Sequence, residues 1–268
     1  MNQAALKASV DGLNAINMSI LEFSKDKILM GAERKSAVIT AETAKCTAFH
    51  EAGHALVAVL TDAAMPIHKA TIMPRGNALG YISQLPEGDQ TSQSKKEMIA
   101  RMDVCMGGRI AEELIFGPDN VTSGASSDIY QATSMARAMV TKYGMSDKIG
   151  KVFYDGDVGE HASQETRALI DAEVQRLTDE SYQRATDLLK KHNKTHRLLA
   201  ETLLEYETLT GDEVRELVLK GKKPNRPIIN DRGGAKGDTS IFKKEAKTKS
   251  PVDLGTKLGN RKDRTDNF

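Results

Sequence analysis

The 268 residues are long enough for one large domain with appendages, and 39% hydrophobic with 28% charged residues is typical of a soluble protein. No run approaches the ~20 apolar residues of a membrane span, and the two cysteines cannot form a disulfide framework. The net charge of +1 hides an asymmetry, because residues 222–268 carry 13 Lys and Arg against 6 Asp and Glu. A basic tail therefore follows an acidic body.

The first elements are two predicted helices, residues 2–9 and 17–30, separated by a short turn. Together they are too short to be a domain. A polar connector at residues 31–36 leads to a third helix, predicted from about Ala41 to Leu60.

This third helix contains an H-E-x-x-H pattern at residues 50–54. His50 and His54 are four positions apart, so both imidazoles leave the same face of a helix. Two such histidines supply half of a tetrahedral zinc shell. Glu51 cannot share the ion with both of them and suits a general base. An apolar stripe predicts that the helix is buried, which favours a metal site over a surface histidine pair; its members are Phe49, Ala52, Leu56, Val59 and Leu60.

Two strands are predicted next, at residues 69–73 and 79–85, joined by a turn with proline and glycine. A two-stranded ribbon is marginal by itself, so we expect it to pack on the helices. Its free edge either accepts an extended peptide as an added strand or has a structural role only, and the residues alone favour neither.

The remaining segments are predicted to be helices, so the fold class is mainly α with a small β-ribbon. Gly107 and Gly108 interrupt the fourth helix and, with Gly53 in the third, predict a close approach of another element. Residues 155–162 are a predicted loop and residues 224–268 are predicted to be disordered. The predicted helices run from start signals at Ser92 and Ser94 to near Gly117-Pro118, from about Asp128 to about Tyr143, from Ser163 to about Lys191, through residues 198–204, and from the Thr210–Glu213 capping box to Gly221.

A third protein ligand is needed beside two histidines and a water. Val57 and Leu60 exclude the extended metzincin pattern, which requires Gly and His there. Glu112 and Glu113 on the fourth helix are candidates, and so is Asp128 in the first turn of the fifth. Asp128 has a structural alternative as a helix N-terminal acid. Composition and spacing leave these three candidates open.

Three other features carry no predicted site. His192 and His196 also stand four apart, but clustered Lys and Arg residues disfavour a dication there. The basic tail lacks interleaved aromatic residues, so we predict no nucleic-acid binding. No G-x-x-x-x-G-K-[ST] loop occurs, and no cofactor-binding residues other than metal ligands are predicted.

Five motifs stand out along the chain: Thr47–His54, Thr71–Gly76, Met106–Gly117, Thr122–Asp128 and Met139–Met145. In this order they resemble the peptidase domain of the FtsH family of ATP-dependent zinc proteases, over about residues 2–222. Two further segments, residues 25–31 and 103–108, are most similar to its i-AAA, YME-like branch in the mitochondrial inner membrane.

The resemblance implies a site and its cofactor. It implies one zinc ion per chain, held by His50, His54 and Asp128, with Glu51 as the catalytic base that takes a proton from the attacking water and returns it to the leaving amine. It also favours a substrate-binding role for the second strand. The candidate substrate-binding residues are Leu79, Gly80, Tyr81 and Ile82.

The resemblance also implies an organisation. Residues 1–30 resemble the C-terminal end of an AAA ATPase lid, residues 31–222 the zinc peptidase domain, and residues 223–268 are a basic tail without a counterpart. Family members carry a transmembrane segment and an ATPase core ahead of this region, so ATP is expected only in a full-length protein.

The expected function is hydrolysis of unfolded or membrane-derived polypeptides for protein quality control. By analogy the protease is a homo-hexamer on the intermembrane-space side of the mitochondrial inner membrane, and only the segment absent here would contact the membrane. The alternative is a non-catalytic hexamer-assembly domain. An intact set of His50, Glu51, His54 and Asp128 counts against that alternative.

Overall fold

The computed structural model describes residues 1–34, 38–76, 78–85, 88, 91–154 and 162–228. Within them, eight α-helices and three short strands follow one another. The elements are α1 (Asn2–Val10), α2 (Met18–Met30), α3 (Ala41–Leu60), β1 (Ile67–Thr71), β2 (Tyr81–Gln84), α4 (Lys95–Phe116), α5 (Ser126–Thr141), α6 (Gln164–Lys191), α7 (Asn193–Tyr206), β3 (Thr208–Thr210) and α8 (Gly211–Lys220).

Local capping chemistry sets several helix starts. Ser94 accepts from the backbone of Glu97, and the Glu97 side chain returns to the backbone of Ser94, so α4 begins with a capping box. Thr210 and Glu213 form the same pair of hydrogen bonds at the start of α8, as predicted. Thr40 caps α3. The predicted mainly helical fold with a small β-ribbon is confirmed.

Helix α3 lies at the centre of the core. From Ala48 to Ala58 all its residues except His50 are buried. Helices α4 and α7 pack on it, and α6, α8 and β1 also contact it. Small alanines alternate with larger apolar side chains, which allows neighbouring helices to approach closely. The HExxH segment is therefore held by the most deeply buried element.

The contact between α3 and α4 is made by glycine backbones. A Cβ atom on Gly53 would lie 2.4 Å from the carbonyl oxygen of Gly107, and one on Gly107 would lie 2.9 Å from the carbonyl oxygen of Gly53. The predicted close approach at Gly53 is confirmed. Because both positions exclude any side chain, they fix the axial register of α4 against α3.

The sheet is three-stranded and antiparallel, in the order β2-β1-β3. The two-strand prediction was incomplete because Thr208–Thr210 is too short to show alternation, and it pairs with β1 across most of the chain. The predicted first strand began two residues late, at residue 69 rather than Ile67. Only one edge of β2 has a strand partner in the described part of the chain.

Helices α1 and α2 form a small separate core around Ala4, Ala8 and Ile20. At the other end, Arg226 donates to the carboxylate of Glu213 and to the carbonyl oxygen of Thr208. Disorder was predicted for residues 224–268. Residues 224–228 are described and include these contacts of Arg226, whereas residues 229–268 and most of the predicted loop at 155–162 lie outside the described residues. No helix of the described residues is long and apolar enough to cross a bilayer.

Candidate metal centre

His50 and His54 project from the same face of α3, as their spacing predicts. Their Nε2 atoms are 3.0 Å apart, and the rings meet edge to face. Both side chains are about nine-tenths buried. The two nitrogens therefore point at one shared position rather than into solvent.

Asp128 completes this cluster from the first turn of α5. Its Oδ2 atom lies 3.3 Å from Nε2 of His50 and 3.5 Å from Nε2 of His54. Among the described residues, these three form the only group of three or more His, Cys, Asp or Glu side chains with suitably close ligand atoms. Of the three candidates that spacing left open, the fold brings Asp128 to the two Nε2 atoms.

The geometry of the three atoms fits zinc. Ligands at roughly 2.0–2.1 Å from a tetrahedral ion lie about 3.3 Å from one another. The observed separations are 3.0, 3.3 and 3.5 Å. Two imidazole nitrogens and one carboxylate oxygen are also ligands that zinc accepts, leaving a fourth position open as in catalytic sites.

Glu112 contacts the Nδ1 side of the His50 ring, opposite the Nε2 atom that faces His54 and Asp128. Its Oε1 lies 2.7 Å from Nδ1 of His50, and the Thr122 backbone N–H donates to Oε2 at 2.7 Å. Burial alone would raise the pKa of Glu112, but these hydrogen bonds lower it. Glu113 instead accepts from Arg109 and Tyr182. Glu112 therefore orients the His50 ring, a role that sequence spacing did not distinguish from metal ligation.

Nδ1 of His54 lies 2.6 Å from the carbonyl oxygen of Val104 on α4. A carbonyl and a carboxylate can only accept, so Nδ1 is the donor in both of these contacts. The Gly108 backbone N–H also points to Nδ1 of His54, at the longer distance of 3.3 Å, and the shorter contact with Val104 decides the assignment. The hydrogen-bond network thereby assigns a proton to each Nδ1 and directs each Nε2 toward the shared position. Asp128 and Glu112 raise the pKa of His50 to about 10 although burial opposes this, so the cluster attracts positive charge.

Gly108 makes room for the imidazoles. A Cβ atom at this position would lie 2.5 Å from Nε2 of both His50 and His54. The sequence predicted that the glycine pair interrupts the fourth helix and marks a close approach. The close approach is present, but the predicted interruption is wrong, because α4 continues through both glycines. Gly107 packs against the backbone of α3, and Gly108 packs against the imidazole rings of His50 and His54.

Glu51 is buried beside the cluster, with 6% of its surface exposed. Burial raises its pKa, the nearby imidazoles lower it, and Asp128 raises it. A Cβ atom on Gly80 would lie 2.9 Å from Oε1 of Glu51. The carboxylate of Glu51 therefore lies against the residue that precedes β2.

The four candidate substrate residues lie at this end of β2. Tyr81 and Ile82 pair with Thr71 and Ala70 of β1, while Leu79 is 40% exposed. Because β1 occupies one edge of β2, an extended peptide would have to add at the other. The fold brings that strand next to Glu51, and the substrate role stays a prediction.

His196 has a structural function that the sequence did not reveal. Its Nε2 donates to the carbonyl oxygen of Phe49, 2.9 Å away, and its ring packs edge to face on that phenyl ring. Burial lowers its pKa, so the neutral form is favoured. Nothing in the local sequence predicts this contact, because 147 residues separate the partners.

Comparison with known proteins gives one family match and a set of close relatives. A model of peptidase family M41 matches residues 37–217. The chain is 55% identical over 223 residues to a mouse protein named ATP-dependent zinc metalloprotease YME1L1, covering 83% of this chain and 31% of the mouse chain.

Two further relatives come from a plant and a bacterium. The chain is 52% identical over 219 residues to ATP-dependent zinc metalloprotease FTSH 11, chloroplastic/mitochondrial, of Arabidopsis thaliana, covering 82% and 27% of the two chains. It is 45% identical over 260 residues to ATP-dependent zinc metalloprotease FtsH of Rickettsia conorii, covering 92% and 41%. This chain thus spans well under half of each of these relatives.

Proposed function

Because the chain belongs to peptidase family M41 and is a metalloprotease domain of the FtsH family, we propose that it is a zinc-dependent endopeptidase acting on unfolded or membrane-derived polypeptides. The observation that carries the proposal is the convergence of two Nε2 atoms and one carboxylate oxygen at tetrahedral spacing. Glu51 and the edge of β2 lie directly beside that point.

One zinc ion per chain would be held by His50, His54 and Asp128. When bound, it supplies a Lewis acid that polarises the scissile carbonyl and makes a water acidic enough to be deprotonated at neutral pH. Glu112 and the Val104 carbonyl hold the two rings in the ligating tautomer.

The other steps belong to the residues of this chain. Glu51 accepts a proton from the attacking water and later donates it to the leaving amine. The substrate pairs with β2 through Leu79, Gly80, Tyr81 and Ile82, which requires an extended and therefore unfolded polypeptide. Hydrogen bonds between backbones depend little on the side chains of the substrate, so this mode of binding would allow the enzyme to degrade polypeptides of many sequences.

The wider organisation is proposed from the relatives. Residues 1–30 end an ATPase lid, residues 31–222 form the peptidase domain and residues 223–268 form a basic tail. In a full-length protein an ATPase core would bind ATP, a preceding segment would anchor the protein, and six copies would assemble. We place the protein at the mitochondrial inner membrane, facing the intermembrane space; the name of the Arabidopsis relative, which includes the word mitochondrial, supports the organelle.

Zinc analysis combined with cleavage of unfolded casein tests the proposal. The unaltered chain is expected to hold one zinc ion and cleave. Glu51→Gln should keep the metal and lose roughly 10²- to 10⁴-fold in rate, and Asp128→Ala should lose both. Glu113→Gln is the matched control, since Glu113 neighbours Glu112 but contacts Arg109 and Tyr182.

Two results would overturn parts of this assignment. Full zinc and activity in Asp128→Ala would show that another residue is the third ligand. Zinc without cleavage in the unaltered chain would favour the non-catalytic hexamer-assembly alternative.

A further inference from the structure

A buried charge cluster joins α2 to the hairpin that carries β2. We call Asp26, Glu33, Lys69 and Arg75 the Asp26 cluster. Asp26 of α2 pairs with the ammonium of Lys69 on β1, and Nη2 of Arg75 lies 3.8 Å from the same carboxylate oxygen. Arg75 also pairs with Glu33. Asp26 and Arg75 are only 4% and 5% exposed.

Backbone contacts strengthen this junction. Residues 32–34 lie beside the turn between β1 and β2, where Glu33 and Arg75 form an antiparallel bridge. The Arg34 amide donates to the Pro74 carbonyl at 2.9 Å, and its guanidinium donates to the Gly76 carbonyl at 3.2 Å. The chain leaving α2 thus adds a short strand-like segment to the hairpin turn.

The same turn leads directly to the catalytic region. Arg75 forms a second bridge with Ala78, one residue before the candidate substrate segment begins. Tyr81 faces the cluster, with the Lys69 ammonium 5.9 Å from its ring centre, and burial together with Asp26 raises its pKa. Between these two points, Gly80 lies against the carboxylate of Glu51.

The cluster is a costly way to obtain stability. Within the described residues, Nη1 of Arg75 and the hydroxyl of Ser24 are buried without a hydrogen-bond partner. Charges removed from water repay their desolvation only when the geometry is good and every donor is satisfied, so an apolar contact would hold α2 as well. Buried ion pairs are better suited to fixing one register between two elements.

We propose that Asp26, Lys69 and Arg75 are positioning residues that hold the β2 edge in register with Glu51, so that docking of α2 sets the affinity for polypeptide substrate. The inference rests on the proposed function, because it takes β2 as the substrate strand. It assigns α2 a role in the peptidase reaction although none of its residues touches the metal centre.

The test compares Asp26→Asn and Lys69→Met with Lys69→Arg, which keeps the charge. Cleavage of a short unfolded peptide gives KM and kcat, and hydrogen exchange of residues 78–84 reports directly on β2. Glu173→Gln is the matched control. Its carboxylate is also buried and paired, but with Arg176 and Lys148, which belong to neither α2 nor the β1–β2 hairpin.

We expect Asp26→Asn and Lys69→Met to raise KM roughly 2- to 30-fold, the range for disturbed contact networks, with little change in kcat. Exchange at residues 78–84 should accelerate more than exchange in α6, whereas Lys69→Arg should leave both measurements near those of the unaltered chain. Glu173→Gln should leave KM unchanged and should not accelerate exchange at residues 78–84 more than elsewhere in the fold. Glu33→Gln, a milder change at the rim of the cluster, replaces any variant that fails to fold.

Unchanged KM and unchanged exchange at residues 78–84 in Asp26→Asn would overturn the inference, as would an equal rise in KM in Glu173→Gln. If the unaltered chain cleaves no peptide, the proposed function fails. The exchange measurement then still decides whether the Asp26 cluster positions β2.

Discussion

Oε1 of Glu112 lies 2.7 Å from Nδ1 of His50, on the side of the ring that faces away from His54 and Asp128. The same carboxylate accepts from the backbone and side chain of Thr122. One residue on α4 thus links the orientation of the His50 ring to the loop that leads to Asp128. The same carboxylate therefore helps to hold two candidate ligands that are distant in sequence.

The first prediction concerns this carboxylate. Glu112→Gln keeps an acceptor of similar shape but removes the charge that holds the His50 ring. We expect zinc affinity to fall roughly 10- to 100-fold, as is usual when the partner of a ligating histidine is changed. Competition with a fluorescent chelator measures it. An equal loss in Glu113→Gln would show that the effect is not specific to the contact with His50.

The second prediction concerns Gly108. In Gly108→Ala the new Cβ atom would lie 2.5 Å from both Nε2 atoms, so the rings must move. Zinc affinity should fall at least about tenfold while the helical circular dichroism persists. Gly88→Ala is the control, because an added Cβ there meets nothing within 4 Å. Normal zinc binding in Gly108→Ala would contradict the described ring positions.

The third prediction concerns removal of the metal. A ligand that binds only the native state at a thousand times its Kd stabilises it by about 4 kcal/mol. Chelation should therefore lower the thermal midpoint of the unaltered chain. In Asp128→Ala the thermal midpoints of zinc-loaded and chelated samples should differ much less. Equal differences in the two proteins would show that Asp128 is not a zinc ligand.

The fourth prediction concerns acid stability. Hydrogen bonds from Arg176 chiefly, with help from Lys148 and Ser146, lower the pKa of Glu173 from 4.5 to about 2 against the effect of burial. A carboxylate with a lowered folded pKa stabilises the native state above its unfolded pKa, and this stability is lost as the pH falls from about 4.5 toward 2.

Glu173→Gln removes the charge and with it this pH-dependent contribution to stability. Its partners are partly exposed, so we expect a loss on the order of 2 kcal/mol at pH 7. Urea unfolding at several pH values measures the difference from the unaltered chain. That difference should shrink below pH 4.5, and a constant difference down to pH 3 would mean that Glu173 is not held ionised by these partners.

Local features of the sequence determined where several helices begin. Thr40, Ser94 and Thr210 cap their helices through contacts within three residues, so the pattern of residues is sufficient to place these ends. The helical period alone places His50 and His54 on one face. The motif resemblance then implied Asp128 as the third ligand, and the fold brings Asp128 to both rings.

Spacing and composition could not distinguish Asp128 from Glu112, because their positions relative to His50 depend on how α4 and α5 pack on α3. The contact between His50 and Glu112 spans 62 residues, and that between Thr71 and the segment before β3 spans 136. Contacts between such distant residues produce no recognisable pattern in the sequence of either segment. The glycine surfaces of α3 and α4 fix the helix register, and this register decides which carboxylate faces Nε2 and which faces Nδ1.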